Sequence, residues 1–162
     1  EPMPVAVPEP VIAVAPPVVQ PLPEPTPVTP PPAPVVKKTL RNLKADSLFA
    51  VGSAVLSPKA AQEIDSAFLE SGIDIKTLSS VTVVGHADRT GNALANKKLS
   101  ERRAEAVKTM LVKNKGIAAN IIKTEGRGSS EPITSVKQCP ASLGAKLSKC
   151  LAPDRRIVVT AE

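Results

Sequence analysis

The spacing of apolar positions changes period several times between residues 37 and 162. TLRNLKADSLFAV, Thr39 to Val51, alternates apolar and polar residues irregularly and predicts a strand. Ser57 and Pro58 supply a helix cap with proline at the first helical position; Ala61, Ile64 and Phe68 follow at helical spacing until Gly72 stops the run. SSVTVVG, Ser79 to Gly85, is short and β-branched and predicts a second strand. A long helix is predicted from Ala93 to Lys115, with Gly116 in the position that ends it. NIIKTEG and RRIVVTAE predict two further strands, and Ser129–Ala152, poor in periodic signal, reads as a loop. Strands alternating with two helices indicate an α/β sandwich with the helices packed on one sheet.

On the long helix, Leu99, Ala106, Val107 and Met110 define the expected buried stripe, while Glu101, Glu105 and Lys108 face away. Arg103 falls in the middle of that stripe, with Asn96 two turns earlier on the same face. A guanidinium there is costly without a partner, so an anionic group is expected close by. Asp88 qualifies, because it lies in the turn that delivers the chain from strand into this helix. Three arrangements satisfy the pattern: a buried Asp88–Arg103 ion pair, an Arg103 that snorkels past the helix end, or the two charges split across a small cleft where they would suit a zwitterion.

Composition divides the chain. Fourteen of its 18 prolines precede Lys37, in a segment with Glu1, Glu9 and Glu24 and no basic residue. Such a sequence cannot build a core and favours extended polyproline II, so residues 1–36 are expected to be a linker reaching on the order of 110 Å when fully extended. Residues 37–162 then form one domain carrying all 21 basic residues and 12 of the 15 acidic ones, a formal +9. A cationic domain calls for an anionic partner. Nucleic acid is disfavoured, because single strands and RNA are gripped by aromatic platforms and only Phe49 and Phe68 are available. The apolar runs stop at prolines well short of the ~20 residues that cross a bilayer. Without a charged and apolar leader at Glu1, the chain reads as a piece of a longer one.

The segment VVGHADRTG, Val83 to Gly91, crowds His86, Asp88 and Arg89 into four residues. As the only histidine, His86 lacks partners for a metal site or a nucleophilic triad and is expected to pack at a strand end. The turn lacks the glycine density and Lys-Ser/Thr ending of a phosphate loop. No carboxylate pair shows a convincing acid and base placement, so binding is favoured over catalysis and no cofactor is called for. Cys139 and Cys150, eleven positions apart, are too few for structural zinc; a disulfide is the better reading and two free thiols the other. A disulfide would indicate an oxidising compartment.

GHADRTG, NKKLSERRAEAV, KGI, EGRGSSEP and APDRRIVV, in that order, resemble the signature of the peptidoglycan-binding domain at the C-terminus of outer membrane protein A, over roughly Leu40 to Ala161. The resemblance implies an OmpA-like sandwich, a mixed four-stranded sheet with two main helices on one face. It implies noncovalent binding of peptidoglycan through the diaminopimelate residue of the stem peptide, tethering the outer membrane to the cell wall from the periplasm of a Gram-negative bacterium. Asp88 and Arg103 match the family's principal ligand contacts; Thr90, Asn96 and Arg155 match further positions near the ligand. The Pro-rich segment resembles the hinge that follows a membrane β-barrel in such proteins, and Cys139–Cys150 looks like a disulfide of some members. Ala87 departs from the family's more usual Thr, and Val51–Gly52 stand where it places an aromatic and then Asp or Asn. The alternative is a periplasmic protein-docking domain whose peptidoglycan binding is weak or lost.

Overall fold

The computed structural model describes residues 2–5, 8, 14–15 and 36–162. The chain divides into Glu1–Ala33 and Pro34–Glu162; the expected polyproline II stalk falls almost wholly outside the described residues.

The second unit is built on a mixed sheet. Strands β3 (Val81–His86) and β4 (Ile122–Gly128) pair in parallel, joined by helix α3 (Ala93–Lys115). The C-terminal strand β5 (Arg156–Ala161) pairs antiparallel with β3 on its other side. Two short strands, β1 (Lys38–Thr39) and β2 (Leu43–Lys44), lie antiparallel along the outer edge of β5, opposite Ala161–Thr160 and Ile157–Arg156 respectively. Val81, Val83, Ile157, Val159 and Ala161 alternate along β3 and β5 into one buried cluster with Ile64 and Phe68 of helix α2 (Ala60–Ser71) and Val107 and Leu111 of α3. Both main helices therefore cover one face, as the alternation predicts.

The expected strand Thr39–Val51 is not continuous. After β2 the chain turns into α1 (Ala45–Leu48), because Ala45, Leu48 and Phe49 bury at helical spacing, while Leu40 and Leu43 bury on the preceding stubs. Helix α2 starts later than expected. Ser57 Oγ donates to the Ser47 carbonyl at 2.8 Å instead of capping, and Lys59 occupies the cap position. Gly72, at φ 63°, ends α2 in the left-handed conformation.

Helix α3 has the predicted limits. Asn92 Oδ1 accepts from the Leu94 and Ala95 amides at 2.9 and 3.1 Å, and Lys113 and Lys115 sit favourably in the last turn. Its buried face is Ser100, Arg103, Ala104, Val107, Met110 and Leu111; Leu99 and Ala106 are only half-buried, so the stripe is rotated from the expected one. The cause lies in the strands. A Cβ at Gly85 would stand 2.3 Å from the Ser100 carbonyl oxygen, and one at Gly126 would stand 2.5 Å from the Glu101 amide nitrogen. Helix backbone thus approaches sheet backbone directly, and Ser100 Oγ fills the gap by accepting from the Gly128 amide at 2.9 Å.

Ser129–Ala152 is not a featureless loop. It contains a 3-10 turn, Ala141–Lys146, and helix α4 (Leu147–Cys150), followed by a 3-10 turn at Ala152–Asp154. Cys139 and Cys150 are joined by a disulfide with Cα atoms 5.7 Å apart. Among the described residues no helix is long and apolar enough to cross a membrane.

Candidate functional site

The three charged residues of the GHADRTG turn point to three different tasks. His86, the last residue of β3, is 3% exposed and packs on the sheet face opposite the main helices. Burial, with Arg156 second, holds its pKa below the ordinary 6.5, against the opposing pull of Glu131 and Glu125, and Arg127 adds to the lowering. On unfolding the imidazole gains protons that the fold excludes, so stability is complete above 6.5 and falls as pH drops through that value towards the lowered one. Denaturant midpoints of the parent are expected to fall between pH 7.5 and 5.5, and those of His86→Gln to fall less.

Arg89 turns away from the cleft into the cysteine loop. It donates to the carbonyls of Thr134, Ser135 and Cys139 at 3.3, 3.2 and 2.7 Å, and to Thr134 Oγ1 at 3.1 Å. Its guanidinium lies 3.6 Å from Asp154, which is fully buried and accepts from the Ile133 and Thr134 amides. Arg89 is thus the anchor of the loop.

Asp88 alone of the three faces the cleft, a recess of about 430 Å³ lined by Asp46, Val51, Gly52, Ala87, Asp88, Thr90, Asn96, Leu99, Arg103, Ser148 and Arg155. All five expected site residues line this one recess. Asp88 Oδ1 accepts from the Thr90 amide at 2.9 Å and from Thr90 Oγ1, while Oδ2 accepts from Arg155 Nη1 at 2.7 Å. Burial raises its pKa, but those hydrogen bonds outweigh burial and keep the carboxyl below its ordinary range. Three of about four acceptor positions are engaged, which leaves one at Oδ2.

Asn96 shapes the turn. Its Nδ2 donates to the Asp88 and Thr90 carbonyls at 3.1 and 2.7 Å, clamping the turn to the first coil of α3. Arg155 is a brace between two carboxylates. Nε and Nη2 meet Asp46 at 2.9–3.1 Å, and Nη1 meets both Asp88 and the Ser148 carbonyl, the latter at 3.0 Å. Hydrogen bonding to Asp46 raises the Arg155 pKa against burial, with Asp88 contributing further.

Arg103 and Asp88 do not pair. Arg103 is 4% exposed, yet among the described residues it has no ion pair. Its Nε donates to the Ser53 carbonyl at 2.9 Å and its guanidinium carbon lies 5.3 Å from the Phe49 ring centroid. Burial lowers its pKa, partly offset by the fields of Asp46 and Asp88. The Ser53 bond pins the Val51–Gly52 turn, where Gly52 takes φ 65° and Val51 is fully exposed. Both Nη groups lack a protein acceptor among the described residues and are not sealed from solvent. A planar fork of N–H donors is therefore presented to the recess opposite two carboxylates.

Asp46, Leu99 and Ser148 also line the recess and were not anticipated. Asp46 was obscured by reading its segment as a strand; the helical spacing of Ala45, Leu48 and Phe49 was the available signal. Ser148 lies in the aperiodic loop, in α4 two residues before the disulfide-bonded Cys150, where its carbonyl accepts from Arg155. Of the amides opening α3, those of Leu94 and Ala95 are taken by the Asn92 side chain and that of Asn96 by the Asn92 carbonyl, so none of these three can add to an anion site. Among the described residues no group of three His, Cys, Asp or Glu could hold a metal.

Replacing both cysteines by serine removes the covalent closure of a loop spanning eleven positions. A loss of about 3 kcal/mol is expected from the loop-closure model. Thermal melts of parent and double variant, each with and without reductant, check it; only the parent should respond to reductant.

The sequence model of the OmpA family matches residues 48–141. Outer membrane protein A of Klebsiella aerogenes is 42% identical over 126 residues, covering 77% of this chain and 35% of that protein. The counterpart from Shimwellia blattae is 38% identical over 118 residues, covering 72% and 48%. The chain thus spans between a third and a half of these relatives' length. Among solved structures, the cell wall anchor of the T6SS from Pseudomonas aeruginosa superposes with a TM-score of 0.56 at 24% identity, covering 77% of this chain and 80% of the other. The peptidoglycan-associated lipoprotein from Burkholderia pseudomallei gives 0.53 at 17%, covering 77% and 90%. At those identities the likeness is one of fold.

Proposed function

The chain belongs to the OmpA family and is a periplasmic domain of a Gram-negative protein; from that premise we propose that residues 37–162 bind peptidoglycan noncovalently, through the diaminopimelate residue of the stem peptide. The observation that carries this reading is Arg103, a buried guanidinium with both Nη groups open to a recess that also holds Asp88. Diaminopimelate ends in an ammonium and a carboxylate on one carbon. Arg103 receives the carboxylate end-on, where a planar fork bonds both oxygens. Asp88 accepts a hydrogen bond from the ammonium at the remaining position of Oδ2. Thr90, Asn96 and Arg155 hold Asp88 in place. The names of two solved neighbours of the same fold, a cell wall anchor and a peptidoglycan-associated lipoprotein, support peptidoglycan as the polymer bound.

Charge-assisted hydrogen bonds contribute roughly 1.5–3 kcal/mol each. A few of them, less the cost of association, give a single-site affinity between about micromolar and millimolar. Weak sites suffice on a polymer that offers many stems to many membrane-tethered copies. Residues 1–36 would act as the spacer between membrane and wall.

Co-sedimentation with insoluble diaminopimelate-type peptidoglycan tests the reading. The domain is expected in the pellet, displaced by millimolar free diaminopimelate. A folded domain that stays in the supernatant would return the protein-docking alternative to first place.

A further inference from the structure

A second cleft, of about 440 Å³, adjoins the first across the Asp46–Arg155 ion pair, which lines both. Its walls are apolar, formed by Leu43, Ile133, Ala152 and Pro153. Its charged lining is Lys44, Lys149, Arg155 and Arg156 against Asp46 alone. The charges at the partition compensate each other, because Asp46 and Arg155 are engaged bidentately. Asp154, close to Arg156, is fully buried and already accepts from the Ile133 and Thr134 amides and Thr134 Oγ1.

Lys44, Lys149 and Arg156 are different. None has an ion-pair partner within 4.0 Å among the described residues, and Lys44 and Lys149 are exposed. Among the described residues Arg156 gives Nη2 to the Glu131 carbonyl at 3.1 Å and its buried Nη1 has no hydrogen-bond partner, with the Asp154 and Glu131 carboxylates acting on it only as fields. Uncompensated cations around an apolar floor select an anion with a small apolar body: a bare phosphate leaves the floor wet, and a neutral apolar group leaves the cations unpaired.

We propose that this cleft is a second subsite for the same peptide, taking the carboxylate-terminated small apolar residue that follows the residue gripped by Arg103. The inference rests on the diaminopimelate reading of the first recess. Continuity supports it, since the Asp46–Arg155 pair lines both clefts and is the partition a peptide held in the first would have to cross. Lys44 and Lys149 meet the terminal carboxylate, and its methyl-sized side chain covers Ile133 and Pro153.

The test is NMR titration of the domain with three probes: free diaminopimelate, an alanine-terminated stem tetrapeptide, and the C-terminal amide of that tetrapeptide. The parent is expected to bind the acid roughly 10-fold more tightly than the amide. A Lys44→Ala/Lys149→Ala variant should lose that preference while binding free diaminopimelate as the parent does. Both lysines are exposed, so its fold is expected to be unchanged. Equal affinity of the parent for acid and amide, with diaminopimelate still bound, overturns the subsite and leaves the first recess standing. A preference retained in the double variant also overturns it. No binding of diaminopimelate by the parent overturns the reading of the first recess itself.

Discussion

Arg103→Met is expected to reduce affinity for diaminopimelate-type peptidoglycan by about 10- to 100-fold while the domain stays folded. The factor follows from losing one bidentate, charge-assisted contact of roughly 1.5–3 kcal/mol. Methionine is chosen because it preserves most of the buried stem. What it removes from the fold is the bond to the Ser53 carbonyl and the contact over Phe49, and it also removes a charge from an apolar surface. No ion pair is broken, because Arg103 has none among the described residues. Arg103→Lys should recover little, since a point charge cannot reproduce the fork. Asp88→Asn is expected to weaken binding as well, but it is the less clean variant: it takes the Oδ2 charge from the Arg155 brace and loosens the turn. Co-sedimentation, with circular dichroism as the control for folding, decides the matter. Unchanged binding in folded Arg103→Met would remove this guanidinium from the ligand site.

Gly85→Ala is expected to be the most damaging single substitution. The added methyl would lie 2.3 Å from the Ser100 carbonyl oxygen and 2.9 Å from its carbon, and both atoms belong to helix backbone. A flexible side chain could move aside; a carbonyl in the middle of a hydrogen-bonded helix cannot. The first half of α3 must lift from the sheet, at a cost of about 3 kcal/mol and a melting point lower by roughly 10 °C. The same displacement moves Asn96 and Arg103 relative to Asp88, so binding should fall with stability. Thermal melts and co-sedimentation of the same preparation measure both effects. A variant that melts like the parent would show that the helix does not lie so close to β3.

Local pattern and tertiary contact divide the information about this protein cleanly. Helix α3 was legible to its limits, because a long run of helix formers and a terminal glycine are local signals; the Asn92 cap emerged only in the structure. β3 and β5 were legible because one face is buried and β-branched residues mark it. Arg103 stood out for an equally local reason: a charge among apolar neighbours needs an explanation. The family signature placed Asp88, Thr90, Asn96 and Arg155 beside it, and all line one recess.

Periodicity could not show how those residues divide the work. Asp88 was offered Arg103 as its partner, yet Arg155, 67 positions away, reaches it first. The buried stripe of α3 is rotated from the expected one because glycines in the strands, invisible to a hydrophobic pattern, let Ser100 approach where a larger residue would be expected. Asp46 entered the site only once its supposed strand was seen to break into a helical turn. Sequence alone therefore determined the main helices and core strands, the family, and the charged residues that gather at one recess. Tertiary structure decided which carboxylate is braced, which guanidinium stays open and where a second cleft lies. The physical reason is that a hydrogen-bond partner is chosen by distance in space, and residues 46, 88, 103, 148 and 155 become neighbours only when the sheet brings its strand ends together.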